Sequence, residues 1–250
     1  DAVGNIPKTK VEYFTQVNLG GYIPKKFVNN RLTHLLMHVS DMRKEFEKSF
    51  EIDSASRDSI LLKINELQEY SPQEASQIDE GLARLESFGK LANREEVPSA
   101  SPLAKSEIAQ KKGERNAYGR ASTIVRASPE QIIAYQWDFM ARHLRKADTI
   151  SKKVIQEVNS HNQLVYMVKV LPKPILDRDF LMRFVWKKLD DASYVYVITP
   201  ENHDEYPENA GDLIRARYPT TIKLTRLREN ETEVDYLIQL DIGGNDTAGI

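Results

Sequence analysis

The sequence predicts an α+β fold that combines a few amphipathic helices with a mostly antiparallel sheet. From residue 119 onward, short segments alternate apolar and polar side chains, and the turns between several of them carry Asn, Asp, His or Pro. Before residue 93, and once more after residue 128, apolar residues recur at spacings of three and four, which is typical of helices. A long run of strands with one helix among them favours antiparallel pairing over alternating strand–helix units.

The first predicted helix covers residues 24–48. Pro24 suits its first turn, because a proline there lacks only an N–H that would have no partner in the helix. One face of this helix carries an apolar stripe that consists of Val28, Leu32, Leu35, Val39, Met42 and Phe46.

Three further helices are predicted downstream. Two lie within residues 54–92 and separate at Ser71, which is followed by proline and is a typical N-cap. Another begins after Ser128 with the same combination of cap and proline, and covers residues 130–143. Residues 93–112, which are rich in Pro, Ser and charged side chains, are interpreted as a linker.

Period-two alternation predicts eight strands in the second half of the chain. They are Ala121–Val125, Lys153–Val158, Leu164–Leu171, Phe180–Lys187, Tyr194–Thr199, Leu213–Tyr218, Ile222–Leu227 and Val234–Ile242. Apolar side chains at alternate positions share one face of a sheet, and such a face has to be covered. Periodicity alone favours a plain packed core, and composition does not distinguish that core from an apolar cavity between a curved sheet and a helix.

Two segments of the chain resemble each other. Residues 9–21 and 232–244 share the pattern Thr-x-Val-x-Tyr, and both end in Gly-Gly. So many matches in one register indicate a duplicated domain. The predicted organisation is the last strand and C-terminal helix of an upstream domain in residues 8–50, a helical segment and linker in 51–112, and a second domain in 113–250 that lacks its final helix.

The order and spacing of several motifs resemble the START (steroidogenic acute regulatory protein-related lipid transfer) family. The motifs are Arg178-Asp179-Phe180, Ile214-Arg215-Ala216 after Pro207, and the run Gln16, Asn18, Gly20, Gly21, Ile23, Pro24, Val28 and Asn29. The resemblance implies a helix-grip fold, in which a strongly curved antiparallel sheet is closed by a long C-terminal helix. It also implies a hydrophobic tunnel for one lipid or sterol, used in lipid transfer or lipid sensing, and no catalysis.

On this resemblance, ten side chains are expected to contact the lipid: Tyr166, Val168, Met182, Phe184, Trp186, Tyr196, Ile214, Tyr218, Tyr236 and Ile238. The lid helix is represented in this chain by Val28, Leu32, Leu35 and Val39, and the 24–48 helix could dock on the second sheet in place of its missing helix. The expected partners are a lipid or sterol and, transiently, a membrane surface. The expected location is cytoplasmic, with peripheral membrane contact left open.

Two other functions stay open on the same scaffold. A polyketide cyclase-like enzyme would need convergent polar groups on the cavity face, whereas the alternating sets above are nearly all apolar. A regulatory interaction domain without any ligand would instead have a core filled by side chains. No cofactor is expected for any of the three.

Several chemistries are disfavoured by the sequence. The chain has no cysteine, so disulfides and thiolate metal sites are excluded. Its net charge of -2 does not indicate the basic surface that nucleic-acid binding usually requires. His34 and His38 have a zinc-compatible spacing but no evident third ligand, so no metal site is expected. Asp179 is expected to form a local ion pair with Arg178, and Arg183 is expected at the surface because it shares a face with Lys187.

Overall fold

A computed structural model describes residues 49–99, 101–110, 117–141, 148–172, 174–208 and 211–243 of the chain. The chain divides into two compact units, residues 1–56 and 57–250. Of the first unit, only the start of a helix from residue 49 belongs to the described part. The expected upstream strand, the 24–48 helix with Val28, Leu32, Leu35 and Val39, and the docking of that helix on the second sheet all lie outside the described residues.

Three helices lie in the described part: α1 (Ser49–Ile64), α2 (Pro72–Gly89) and α3 (Pro129–Trp137). The predicted break at Ser71 is confirmed, because the Ser71 side chain accepts a hydrogen bond from the N–H of Glu74 and the Glu74 carboxylate accepts one from the N–H of Ser71. Ser128 and Gln131 form the same capping box at the start of α3.

Helix α3 is shorter than the sequence predicts. It ends at Trp137 rather than near residue 143, because the backbone of Asp138 leaves the helical conformation with φ -71 and ψ 69. The N–H of Phe139 then bonds to the carbonyl of Trp137 at 2.7 Å, and the Phe139 side chain turns into the core. The apolar period thus continues past the point where the helix stops.

Ten strands form one sheet. They are β1 (Glu95–Val97), β2 (Ala104–Gln110), β3 (Ala117–Val125), β4 (Thr149–Asn159), β5 (Asn162–Lys169), β6 (Arg178–Lys188), β7 (Ser193–Pro200), β8 (Ile214–Arg215), β9 (Thr220–Arg228) and β10 (Glu231–Leu240). Their order is β1-β2-β3-β10-β9-β7-β6-β5-β4, with β8 beside β6, and β1 and β4 are the two edges of an open sheet. All pairs are antiparallel except β6 with β8, so the predicted α+β class with a mostly antiparallel sheet is confirmed.

The interpretation of residues 93–112 as a linker is wrong for most of their length. Strands β1 and β2 pair as a hairpin, and β2 continues the sheet beside β3. Strand β2 carries small side chains such as Ala104 and Ser106 on one face and the charged Lys105 and Glu107 on the other. Ile108 is its one β-branched residue and it has no aromatic one, so the strand gives little of the signal by which strands are usually detected in a sequence.

The predicted strand Leu213–Tyr218 is also corrected. Only Ile214 and Arg215 pair as a strand, in parallel with Arg178 and Asp179 at the start of β6. Arg217 then forms an isolated bridge with Asp241. The segment crosses from β6 to β10 instead of adding a full strand to the sheet.

The two faces of the sheet are covered by different helices, and we call the face under α3 the inner face and the face under α2 the outer face. On the outer face, Ile78 of α2 packs on Val185, Val195 and Val197. Farther along α2, Leu85 and Phe88 pack on Ala109 and Leu237.

On the inner face, α3 contributes Ile133, Ala134 and Trp137 to the largest buried cluster. The C-terminal end of α1 joins the same cluster, with Ile64 fully buried. Among the described helices, none combines the length and the apolar character required to span a bilayer.

Candidate functional site

One half of the inner face is closely packed. Its buried side chains come from β5, β6 and β7, where every second residue points to the same face. Helix α3 and Phe139 cover this half, and the Phe139 and Phe184 rings meet edge to face at 5.5 Å. The buried residues here are Val165, Met167, Phe180, Met182, Phe184, Trp186, Tyr194, Tyr196 and Ile198.

The other half of the inner face, formed by β10, β3 and β2, is less covered. Val234, Tyr236 and Ile238 of β10 are half-buried. Their partners across the strand pair are the small residues Thr123, Ala121 and Gly119 of β3, which are also half-buried. Because large apolar side chains on β10 lie beside small ones on β3, this half leaves more apolar surface exposed than the β5–β7 half does. We call this half the β10–β3 strip.

Most of the expected lipid-contact residues lie on the inner face. Met182, Phe184, Trp186 and Tyr196 belong to its buried cluster. At the margin of that cluster, Tyr218 and Tyr236 are half-buried and packed against it.

The remaining inner-face positions lie further from the buried cluster. Ile238 points to the same face, since it pairs with Thr220 two positions from the Tyr236–Ile222 pair. Ile214 is half-buried in the short β8 and lies at the edge of this arrangement.

The structure places Tyr166 and Val168 on the outer face, which corrects their expected position. Tyr166 pairs with Leu181 and Val168 with Asp179, whereas the inner-face residues of β6 are the alternate ones. The Tyr166 ring contacts the ring of Tyr206 at 4.8 Å, on the outer side.

The inner-face residues of β5 are Val165 and Met167, which pair with Met182 and Phe180. Sequence reasoning missed them because side chains on both faces of β5 are buried, so an alternating pattern cannot indicate which residues point to the inner face. The buried residues are Asn162, Gln163, Leu164, Val165, Met167 and Val168.

Besides Tyr194, whose hydroxyl donates to Glu130 at 2.8 Å, three tyrosines bring hydroxyl groups to the inner face: Tyr196, Tyr218 and Tyr236. The hydroxyl of Tyr196 donates a hydrogen bond to the carbonyl of Gln136 in α3 at 3.2 Å. Burial raises the pKa of Tyr196 and of Tyr218, and each value is raised further by a neighbouring phenol, Tyr218 and Tyr236 respectively. Burial also raises the pKa of Tyr236, while a hydrogen bond with Thr220 acts in the opposite direction. All three side chains are therefore neutral hydrogen-bonding groups.

The inner-face cations of the described residues lie at the margins of that face and have partners. The Arg178 guanidinium donates hydrogen bonds to the carbonyls of Ile242 at 2.5 Å and Leu176 at 2.6 Å. At the opposite end, Arg226 bonds to Glu130 of α3 at 2.5 Å. The Lys152 ammonium lies 4.3 Å from the centre of the Phe139 ring.

On the outer face, the ion pairs differ from those expected. Asp179 pairs with Arg215 rather than with its neighbour Arg178. Arg183 is not a free surface residue, because its Nε bonds to Glu201 at 2.7 Å and its Nη1 to Asn162 at 3.1 Å. Its orientation away from the inner face agrees with the prediction that it shares a face with Lys187.

One end of the sheet exposes apolar side chains. The start of β4, the β5–β6 connection and the segment after β10 meet there, as the bond from Arg178 to the Ile242 carbonyl shows. The exposed side chains, which we call the apolar rim, are Ile150, Val170, Ile175, Leu176 and Ile242.

Within the described ranges there is no group of three or more His, Asp or Glu side chains arranged to hold a metal ion. His34 and His38 lie outside the described residues, so the expected absence of a metal site stays a prediction.

Comparison with known proteins gives a consistent picture of this architecture. The profile of the START domain matches residues 105–247, which is more than half of the chain. Three human structures are similar: the StarD13 (DLC2) lipid transfer and protein localization domain, STARD10, and StAR-related lipid transfer protein 5.

The StarD13 domain is 18% identical with a TM-score of 0.52, over 71% of this chain and 86% of that chain. STARD10 is 17% identical with a TM-score of 0.56, over 72% and 71%. StAR-related lipid transfer protein 5 is 14% identical with a TM-score of 0.55, over 70% and 86%. No curated protein matches the sequence significantly. At these identities the structural likeness establishes the fold, which is the expected helix-grip arrangement with an open sheet.

Proposed function

Since this chain belongs to the START domain family, we propose that the inner face of its sheet binds one lipid or sterol molecule, for lipid transfer or lipid sensing. The observation that carries the proposal is the β10–β3 strip, where Val234, Tyr236 and Ile238 are half-buried beside small residues. The adjoining β5–β7 half provides a rigid apolar wall. A lipid bound on the strip would cover the apolar side chains that the described residues leave partly exposed.

The energetic basis is the removal of apolar surface from water. Each 100 Å² of lipid surface that the strip covers contributes about 2.5 kcal/mol. Val234 and Ile238 contribute their own apolar surface to the same contact. Binding of this kind needs few directional interactions, which agrees with the apolar character of most inner-face side chains.

We propose a binding domain without catalysis. Acid–base catalysis requires groups that exchange protons near neutral pH. Among the described residues, the titratable groups beside the strip are Tyr218 and Tyr236, and burial raises the pKa of both, so they keep their protons under those conditions. Among the described inner-face carboxylates, Glu130 is held by Arg226 and by the Tyr194 hydroxyl.

We further propose that the apolar rim contacts a membrane transiently while lipid is exchanged. The rim adjoins the inner face, since Arg178 at the start of β6 donates hydrogen bonds to the backbone carbonyls of two rim residues, Leu176 and Ile242. The free energy decreases when exposed apolar side chains move from water into the boundary between headgroups and acyl chains. The same contact would bring the site close to its source of lipid.

Lipid capture by the 250-residue chain tests the binding proposal. The protein is incubated with vesicles of mixed lipid composition, separated from them, and examined by native mass spectrometry. We expect one bound lipid per chain, and we expect Ala121→Phe to reduce the loaded fraction at least fivefold because the new ring fills the β10–β3 strip. Ile124→Phe is the matched control, because Ile124 lies on the same strand but is exposed on the outer face. Equal loading of both variants, or no bound lipid in the unmodified chain, would contradict the proposal.

Vesicle flotation tests the membrane contact. The double change Ile175→Asp and Leu176→Asp puts charges on the rim, so we expect at least a threefold decrease in the fraction of protein that floats with vesicles. Leu103→Asp is the control, because this exposed leucine lies in the β1–β2 turn, at the other end of the sheet. An unchanged floating fraction for the rim variant would show that the rim does not mediate the contact.

A further inference from the structure

We propose that the outer face carries a second ligand site, a groove between α2 and the adjoining ends of β3 and β10, which binds a small organic acid with one carboxylate and an apolar body. The carboxylate binds the guanidinium of Arg84, and the apolar body lies on the rings of Phe88 and Tyr118. Helix α2 packs on the outer face of the sheet, so this site is separate from the inner face.

The groove has the size and the lining of a small-molecule site. Its volume is about 330 Å³, within the range of about 300–1,000 Å³ that is usual for such sites. Apolar contacts are available from the buried ring of Phe88 and from the half-buried Leu91 and Tyr118. Ser87 and Gln239 add a hydroxyl and an amide to the lining. These walls suit a ligand that combines an apolar body with a polar group.

Arg84 is the positively charged group of the groove. The residue is half-buried on α2, and its Nη2 atom is shielded from water without a hydrogen-bond partner among the described residues. Burial lowers the pKa of Arg84, while Glu80 and Tyr118 act in the opposite direction. Withdrawal of a guanidinium from water costs free energy unless an acceptor compensates it. A ligand carboxylate supplies this acceptor, because its two oxygens match two N–H donors of a guanidinium.

Other arginines that are half-buried or buried have acceptors within the protein. Each of the following donates to a carboxylate or a backbone carbonyl: Arg120, Arg178, Arg183, Arg215, Arg217 and Arg226. For Arg84, no such bond is present within the described ranges. The fold thus holds this guanidinium in the wall of the groove and leaves it available to a ligand.

Glu80 limits the charge of the ligand. It lies four residues before Arg84 and also lines the groove, and its carboxylate accepts a hydrogen bond from the Ser76 hydroxyl at 3.3 Å. A phosphate monoester carries about 1.5–2 negative charges near neutral pH, and Glu80 would repel the charge that Arg84 does not balance. A carboxylate carries one negative charge, so the groove favours it over a phosphate.

Calorimetric titration of the 250-residue chain with 3-phenylpropionate tests the site. We expect one acid bound per chain, at least tenfold more tightly than 3-phenylpropanamide, because hydrogen bonds between charged groups are stronger than those of a neutral amide. Inorganic phosphate should bind at least tenfold more weakly than the acid. No binding of the acid, or equal binding of the acid and the amide, would overturn the proposal.

Two variants test the groove residues. Arg84→Gln should weaken binding of the acid at least tenfold, whereas Arg126→Gln, which removes an exposed arginine beyond the other end of β3, should change it less than twofold. Ala83→Trp keeps every charge but fills the groove from α2, so it should also weaken binding at least tenfold. Thermal unfolding midpoints verify that the variants fold. Full affinity in folded Arg84→Gln or Ala83→Trp would show that the acid binds elsewhere.

The change Ala121→Phe separates this site from the inner face. It fills the β10–β3 strip, so it should leave binding of 3-phenylpropionate unchanged, and Arg84→Gln should leave lipid loading from vesicles unchanged. If Ala121→Phe abolishes binding of the acid and Arg84→Gln does not, the acid occupies the inner face. The proposal of a second site is then wrong, while lipid binding by the inner face stands.

Discussion

The guanidinium of Arg215 holds the carboxylate of Asp179 at two points, from Nε to Oδ1 at 3.1 Å and from Nη2 to Oδ2 at 2.8 Å. Both side chains are only 3% exposed. The same Nη2 donates to the carbonyl of Tyr206 at 2.9 Å, so the pair ties the β7–β8 connection to β6. The Nη1 atom of Arg215 is buried and has no hydrogen-bond partner among the described residues, which lowers the net stability that the pair contributes.

The first prediction concerns the loss of one partner of this pair. Asp179→Asn leaves the buried Arg215 charge without compensation, so we expect the free energy of unfolding to decrease by about 3 kcal/mol. Equilibrium unfolding in urea measures the difference.

Two further variants control this prediction. Combined replacement by Asp179→Leu and Arg215→Met should restore most of the loss, because no buried charge remains. Asp191→Asn, which removes the exposed partner of Lys188, should change stability by less than about 0.5 kcal/mol. A single Asp179 variant as stable as the unmodified chain would refute the assigned role.

The parts of the fold that could be predicted are those where one face is apolar and the other is not. On β10, Val234, Tyr236 and Ile238 alternate with acidic and polar residues, and all three point to the inner face as expected. The helix start at Ser71 could be predicted from the sequence because its N-cap, proline and glutamate are local signals.

The parts that could not be predicted depend on long-range packing. Both faces of β5 are covered, so Tyr166 and Met167 are both plausible inner residues in the sequence, and only the pairing with β6 decides between them. The partner of Asp179 lies on a different strand, and no local pattern indicates it.

The second prediction concerns the contact of α2 with the outer face. A Cβ atom at Gly81 would lie 2.7 Å from Cγ2 and 3.1 Å from Cγ1 of Val197, and 3.2 Å from Oγ1 of Thr221. The Thr221 hydroxyl also donates to the Gly81 carbonyl at 3.1 Å, which fixes the helix at this distance. Although alanine favours the helix by about 1 kcal/mol, we expect Gly81→Ala to lower the unfolding free energy by about 1–2 kcal/mol because α2 is forced from the sheet.

Gly89 provides the matched control for Gly81. It is the last residue of the same helix, and an added Cβ would meet no atom within 4 Å. Gly89→Ala should therefore leave the unfolding free energy unchanged or raise it slightly. If the two alanine variants are equally stable, the close approach at Gly81 does not constrain the packing.

A buried polar cluster joins the start of α2 to the β4–β5 turn. The Glu74 carboxylate accepts hydrogen bonds from the amides of Asn159 at 3.0 Å and Asn162 at 2.6 Å, and lies 3.5 Å from Nε2 of His161. The ring of Tyr70 lies 4.2 Å from that of His161. Burial lowers the pKa of His161, which Glu74 opposes, so this histidine is neutral at neutral pH.

The last prediction is the pH dependence that follows from Glu74. Burial acts to raise its pKa, but hydrogen bonds from Asn162, the Ser71 backbone and Asn159 outweigh burial and lower the pKa to about 2, from an ordinary 4.5. The unfolded chain thus binds a proton before the folded chain does, and stability falls as the pH decreases from 4.5 to about 2. Urea unfolding across this window should show a shallower decline for Glu74→Gln, which is already less stable at pH 7 because it lacks the charge-assisted bonds. Parallel declines for the two chains would mean that Glu74 titrates normally in the folded state.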